Sequence, residues 1–292
     1  MKKKIVIICL LIAVVLISMV SCSTIAKVMS RSNTVNYQID VSNLEDVSIA
    51  EVVASNSVNS CARIISTFKS GVIEESVSGA GFVITADGYM ITNRHVVVIY
   101  VNASRTKSSL EKTTECYVAV EPIEIKVVFA DSVIHKATLE HFIDDSAELD
   151  LALIKINEKD TTFSYLSIDA TSSLYYGQSI FTFGNPEGIG LLFCTANVAT
   201  PSLKMSSSSD YESIIIDGNI NHGNSGGVLL DNNSHVVGVV YARVEMGKSS
   251  SSSTTYGLGC AIKSSDLVSF IKGYETSILG KTVGYTEYKP TT

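Results

Sequence analysis

The chain has 292 residues, 46% of them hydrophobic, and 22 Lys and Arg against 29 Asp and Glu give a net charge of -7. That is enough apolar material for a packed core and too little charge for a disordered chain. The acidic balance excludes a phosphate-binding surface built on clustered Lys and Arg, so no nucleic-acid partner is expected.

Lys2, Lys3 and Lys4 precede an apolar run from Ile5 to Val20, followed by Ser21 and Cys22. A basic start ahead of an apolar run has the form of an export signal. It resembles a bacterial lipoprotein signal, which implies lipidation at Cys22, although Met19 stands where such a signal usually has Leu. An uncleaved anchor and an ordinary cleaved signal are the alternatives. The sixteen apolar residues fall slightly short of the usual span of a bilayer. All three readings set residues 1–22 aside from the fold and export the domain, and two of them tether it to a membrane. Residues 23–42 are polar and read as a tether, 43–275 as the folded domain and 276–292 as a polar tail.

Ser42 and Glu45 have capping-box spacing, which predicts a short helix through Val53. From Cys61 onwards the pattern changes to short β-branched runs between turn signals. Such runs are 62–68, 79–85, 89–93, 123–130, 151–156, 178–184, 213–217, 236–242 and 258–262. Asp87-Gly88 between two of them marks a hairpin. Many short strands at this spacing, with only four prolines, indicate an all-β barrel or sandwich. Residues 102–114 and the serine runs 206–209 and 249–253 read as loops. The stretch 264–273 has a helical pattern that opens on a serine cap and stops at Gly273. Outside the leader, Cys61, Cys116, Cys194 and Cys260 are compatible either with disulfides, in one of three pairings, or with small buried hydrophobes. No C-x-x-C or H-E-x-x-H occurs, so no metal site is expected.

The chemistry concentrates in NHGNSGGVLL, Asn221 to Leu230. A serine hydroxyl attacks only when a base takes its proton and donors meet the oxyanion that forms. Glycines on both sides of Ser225 allow a tight turn, with the N–H groups of Gly223 and Ser225 as candidate oxyanion donors. The segment also satisfies G-x-S-x-G, the elbow of α/β-hydrolases, in which acid and histidine follow the serine. Only His235 follows Ser225, ten residues on, and no strand–helix alternation leads up to the elbow, so that reading fails. The order His, Asp, Ser remains. His95 ends a strand run in ITNRHVVV, and Asp150 opens the apolar strand DLALIKI, where a carboxylate needs a partner such as an imidazole N–H. Singly, His95 is also compatible with a satisfied core histidine, Asp150 with a turn residue and Ser225 with a glycine-turn serine. Asp144, Asp145 and Glu148 read as solvated loop charges.

Over roughly residues 45 to 270 the chain resembles trypsin-like serine proteases of the HtrA (DegP) type. The resemblance is carried by SGAGFVIT, DGYMITNRHVV, DLALIKI, FGNPEGIG, IDGNINHGNSGGVLL, VVGVV and YGLGCAIKSSDL in this order. It implies an all-β domain of two antiparallel six-stranded barrels of the trypsin type with short flanking helices. On that model the first barrel covers about 60–160, the second about 165–263, and a C-terminal helix about 264–273. His95, Asp150 and Ser225 would be the catalytic triad in the crevice between the barrels. By the same resemblance Asn219, six residues before the serine, lies at the base of the primary pocket; being neutral, it favours small or medium apolar side chains over Lys or Arg. The resemblance implies hydrolysis of exported or envelope proteins, no cofactor, and a homo-oligomer. Four departures stand out: no PDZ domain is recognisable, Arg94 replaces a small or neutral residue, Ala196 a glycine, and the stretch from His95 to Asp150 is long. A degenerate protease serving as a binding or chaperone-like surface lipoprotein is the alternative of a different class, and an esterase or transferase on the same residues a third.

Overall fold

The structure, a computed structural model, describes residues 47–70, 72–102, 117–143, 149–205, 211–218, 220–243, 257–278 and 281–289. Leader, tether, Cys22, Asn219, Cys116, the acids Asp144, Asp145 and Glu148, and both serine runs lie outside these residues.

The first helix among the described residues, α1 (Ile49–Ser57), starts later than Ser42 and Glu45 predict. The capping box that closes is Ser48 with Glu51: each side chain meets the other's backbone N–H. Two boxes of equal spacing stand in the sequence, and Ser42 and Glu45 of the other lie outside the described residues. After a 3₁₀ turn (Val58–Ser60) come β1 (Cys61–Ser70), β2 (Ile73–Val83), β3 (Tyr89–Thr92) and the one-turn helix α2 (Arg94–Val97). A ribbon of β4 (Ile99–Asn102) and β5 (Tyr117–Val120) follows, flanking the stretch read as a loop. Next are β6 (Glu124–Phe129), β7 (Ile134–Phe142) and β8 (Ala152–Ile156). The hairpin expected at Asp87-Gly88 joins β2 to β3; the Thr85 hydroxyl donates to the Asp87 carboxylate at 2.6 Å and accepts from the Tyr89 N–H at 2.9 Å.

The second half holds β9 (Ser179–Gly184), β10 (Leu192–Leu203), β11 (Ser213–Asp217), β12 (Val228–Leu230), β13 (Val236–Arg243), β14 (Leu258–Lys263) and the helix α3 (Ser264–Ser277). Strands close two antiparallel barrels of six, in the orders β1-β2-β3-β8-β7-β6 and β10-β11-β14-β13-β12-β9. This is the fold class that the resemblance implied.

Side chains alternate between two environments along each strand that faces the crevice. On β8, Ala152, Ile154 and Ile156 point into the first barrel with Ile64, Met90 and Val127. Leu151 and Leu153 point outward into a third cluster between the barrels, with Phe82, Ile91, Phe181, Phe183, Val228 and Leu230. On β12, Leu229 turns inward to the second core, beside Ile180 and Ile216. Strands buried on both faces read as continuous apolar runs, and these strands do.

Helix α3 adds Leu267, Val268, Phe270, Ile271 and Tyr274 to the inter-barrel cluster. It does not stop at Gly273, because the fully buried Tyr274 packs in the following turn and its hydroxyl donates to Glu140 at 2.9 Å. Nor does Ser264 cap it: the hydroxyl of Ser264 donates instead to the Asp169 carbonyl. Beyond α3, Lys281 pairs with Glu140 of β7 at 3.3 Å, Val283 is buried, and Thr286 and Tyr288 bond to the backbone of Ile168.

Cys61, Cys194 and Cys260 are free thiols, so no disulfide joins the described cysteines. Burial pushes all three thiols up, which favours their protonated form.

Candidate active site

Strand pairing decides where His95 and Asp150 meet. Thr92 at the end of β3 faces Ala152 at the start of β8, so the residues just past one strand and just before the other share an edge. Asn93 fixes that corner, donating from Nδ2 to the Asp150 carbonyl at 2.7 Å. The single turn of α2 then buries Arg94, Val96 and Val97 and leaves His95 exposed. The imidazole Nδ1 lies 2.5 Å from Asp150 Oδ2, and the His95 backbone N–H donates to Oδ1 at 3.0 Å. A side-chain exposure of 47% for His95 against 16% for Asp150 puts the carboxylate underneath and the ring on the crevice side.

Arg94, which sequence reasoning noted only as a departure, is part of the corner. Its Nη1 donates to the Ile143 carbonyl at 2.9 Å, and its Nε lies 3.9 Å from Asp150 Oδ1. From the second barrel come Tyr211 and Tyr241. Burial raises both phenols, and the Asp150 charge raises Tyr211 further. The Tyr241 hydroxyl is 2.9 Å from Ser213 Oγ.

Ser225 reaches the same place through its backbone. Its carbonyl accepts from Ala80 N–H of β2 at 2.8 Å, and the Ala80 carbonyl accepts from the Thr92 hydroxyl at 2.7 Å. Gly226 has φ +83, and a Cβ there would run into the Ala80 carbonyl and the Thr92 hydroxyl. Only glycine lets the serine turn settle against the strand that leads to His95. The Ser225 hydroxyl itself makes a long 3.4 Å hydrogen bond to the Tyr241 carbonyl, rather than to His95. The structure thus brings His95 and Asp150 into direct contact and ties the serine's backbone to their barrel.

Gly223 has φ +93 and packs against the Asn185 carbonyl, which a Cβ would strike. Two contacts with the FGNPEG turn set the peptide planes: the Glu187 N–H donates to the His222 carbonyl at 2.7 Å and the Asn185 N–H to the Gly223 carbonyl at 3.1 Å. In a trans peptide the N–H points opposite to the C=O, so the Gly223 N–H faces away from that turn. Among the described residues neither Gly223 N–H nor Ser225 N–H donates to a backbone carbonyl. Asn185 is fully buried, donates to Ser78 Oγ at 2.7 Å and accepts from the Gly190 N–H, while Glu187 sits at φ +52. Sequence reasoning missed the roles of Asn185 and Glu187; the only signal was an Asn-Pro turn bracketed by glycines.

The model of the trypsin-like peptidase domain matches residues 79–239, more than half of the chain, a stretch that includes His95, Asp150 and Ser225. A protein described as a probable periplasmic serine endoprotease DegP-like, from Bartonella henselae, is 33% identical over 162 residues, covering 55% of this chain and 27% of that protein. Serine protease HTRA4 of Mus musculus is 30% identical over 214 residues, covering 70% of this chain and 36% of its own. The chain thus spans about a third of the length of the curated relatives it matches. A solved HtrA-type protease with a tripeptide superposes with a TM-score of 0.57 at 23% identity, over 78% of this chain and 64% of the other, a likeness of fold. The chain belongs to the trypsin-like peptidase domain family, and the relatives it is similar to include HtrA-type and DegP-like proteases.

Proposed function

We propose that the chain is an exported serine endopeptidase in which His95, Asp150 and Ser225 act as a catalytic triad. The observation that carries this reading is the 2.5 Å contact of His95 Nδ1 with Asp150 Oδ2, beside a serine turn bonded to the same barrel. Asp150 fixes the tautomer that leaves His95 Nε2 free to accept a proton. The Ser225 hydroxyl, held by only a 3.4 Å bond, turns from the Tyr241 carbonyl to that nitrogen at little cost. As Ser225 Oγ attacks a peptide carbonyl, His95 takes its proton and passes it to the leaving amine. The Gly223 and Ser225 N–H groups receive the oxyanion. Water then hydrolyses the acyl-enzyme, with His95 again as base.

Substrates would be proteins of the cell envelope or its exterior, in keeping with the periplasmic relatives, and protein quality control is the matching role. Tethering through Cys22 or an N-terminal anchor would hold the enzyme at a membrane. A fluorophosphonate probe tests the reading directly. The full chain is expected to label at one site, and Ser225→Ala to lose labelling and at least about 10³-fold of turnover while keeping its melting temperature. A wild-type chain that binds unfolded protein without labelling would favour the binding or chaperone-like alternative.

A further inference from the structure

We propose that Arg94 is a positioning residue that pins the Asp150 carboxylate against His95; this rests on the triad reading above. Burying a guanidinium costs free energy unless its charge and donors are met. Arg94 is nevertheless 8% exposed. Two of its contacts are informative, a hydrogen bond from Nη1 and a charge contact at Nε, because they reach the two ends of one connection. Ile143, whose carbonyl accepts from Nη1 at 2.9 Å, lies just past the end of β7. Asp150, whose Oδ1 is 3.9 Å from Nε, lies just ahead of β8. The guanidinium also stands over the Tyr100 ring of β4, 5.7 Å from its centroid. Arg94 therefore binds to α2, the helix that carries His95, both ends of the connection that delivers Asp150.

The carboxylate has two oxygens to place. Oδ2 takes His95 Nδ1, and Oδ1 is shared between the His95 backbone N–H and the Arg94 cation. Without the cation, Oδ1 keeps one N–H partner, and the Ile143 end of the connection loses its tie. The carboxylate can then turn or drift, and with it the imidazole that it orients. Arg94 touches neither substrate nor the attacking oxygen in this scheme; it works through Asp150. A planar fork with several donors suits two partners at once, whereas an ammonium of similar length keeps the charge but loses the fork.

The test uses the full chain with Arg94→Lys, Arg94→Gln and Arg94→Leu, a fluorophosphonate probe, and fluorescein-labelled casein as substrate. Arg94→Gln is expected to lower kcat roughly 10–100-fold, with KM within about twofold, and to slow probe labelling in proportion. Arg94→Lys should recover most of that loss, and Arg94→Leu should equal or exceed it. Three results would overturn the proposal: Gln labelling at the wild-type rate, a loss confined to KM, or Lys no better than Gln. Thermal melting is measured on each variant. If all three unfold, Arg94 serves the fold rather than the acid, which also overturns it. A wild-type chain that fails to label sinks the triad reading instead, so the two failures stay distinct.

Discussion

On the first-barrel side of the crevice, His95 and Asp150 are held by side chains: Asn93, Arg94 and their own ring-to-carboxylate contact. On the second-barrel side, Ser225 is held by backbone: its carbonyl meets Ala80, Gly226 N–H meets Val240, and two positive-φ glycines shape the turn. Side-chain holding tolerates isosteric replacement in folding terms but not in chemical terms. Backbone holding has the opposite sensitivity, because a Cβ in the wrong place moves the chain itself. Mutations on the two sides should therefore fail in different ways.

The largest effect should come from Asp150→Asn, which keeps shape but loses the acceptor that selects the imidazole tautomer. Turnover on casein is expected to fall by about 10⁴, with a moderate drop in melting temperature because the buried Arg94 cation loses its counter-charge. A melting point that collapses along with activity would erase the contrast between the halves. Gly226→Ala comes next and should act on stability. The left-handed backbone alone costs about 1–3 kcal/mol for a non-glycine residue, and the clash with Ala80 and Thr92 adds to it. For a domain of this size, differential scanning calorimetry should show Tm lower by roughly 2–4 °C per kcal/mol. An unchanged Tm would mean that the turn is not docked as described.

The smallest effect concerns the edge of the inter-barrel cluster, where His141 of β7 packs on Phe270 and Tyr274 of α3, with ring centroids 5.2 and 5.1 Å away. Burial lowers the His141 pKa from its ordinary 6.5. A depressed basic group binds fewer protons folded than unfolded, so stability is complete above about pH 6.5 and declines as pH falls towards the folded value. His141→Gln should flatten the loss of Tm as pH falls below 6.5. A variant whose Tm falls as steeply as the wild type would show that other groups govern that range.

Much of this was legible in the sequence, and the misses have physical causes. His95 and Asp150 stand at strand ends, where polarity breaks an apolar run, and Ser225 stands between glycines, so the three candidates were visible. The strand β7, IHKATLEHF, was not among the predicted runs because it is polar, partly exposed and bulged between Leu139 and His141. Ser42 and Ser48 offer the same capping spacing, and local pattern does not choose between them. Gly273 looked like a stop, but packing of Tyr274 outweighs the weak helix propensity of one glycine. Arg94, Asn185 and Glu187 escaped for a shared reason: each acts on residues more than thirty positions away, and no local period encodes such a meeting.

The bond from Ala80 N–H to the carbonyl of Ser225 has a consequence for how this molecule can fail. Because Ser225, the residue proposed as nucleophile, is bonded to the opposite barrel, the barrels cannot slide past one another there without breaking that bond. Loosening of the crevice at this point therefore works against that bond, and displacing the serine turn and separating the halves there are coupled. The ensemble should divide into aligned and parted molecules, with few half-working ones in between.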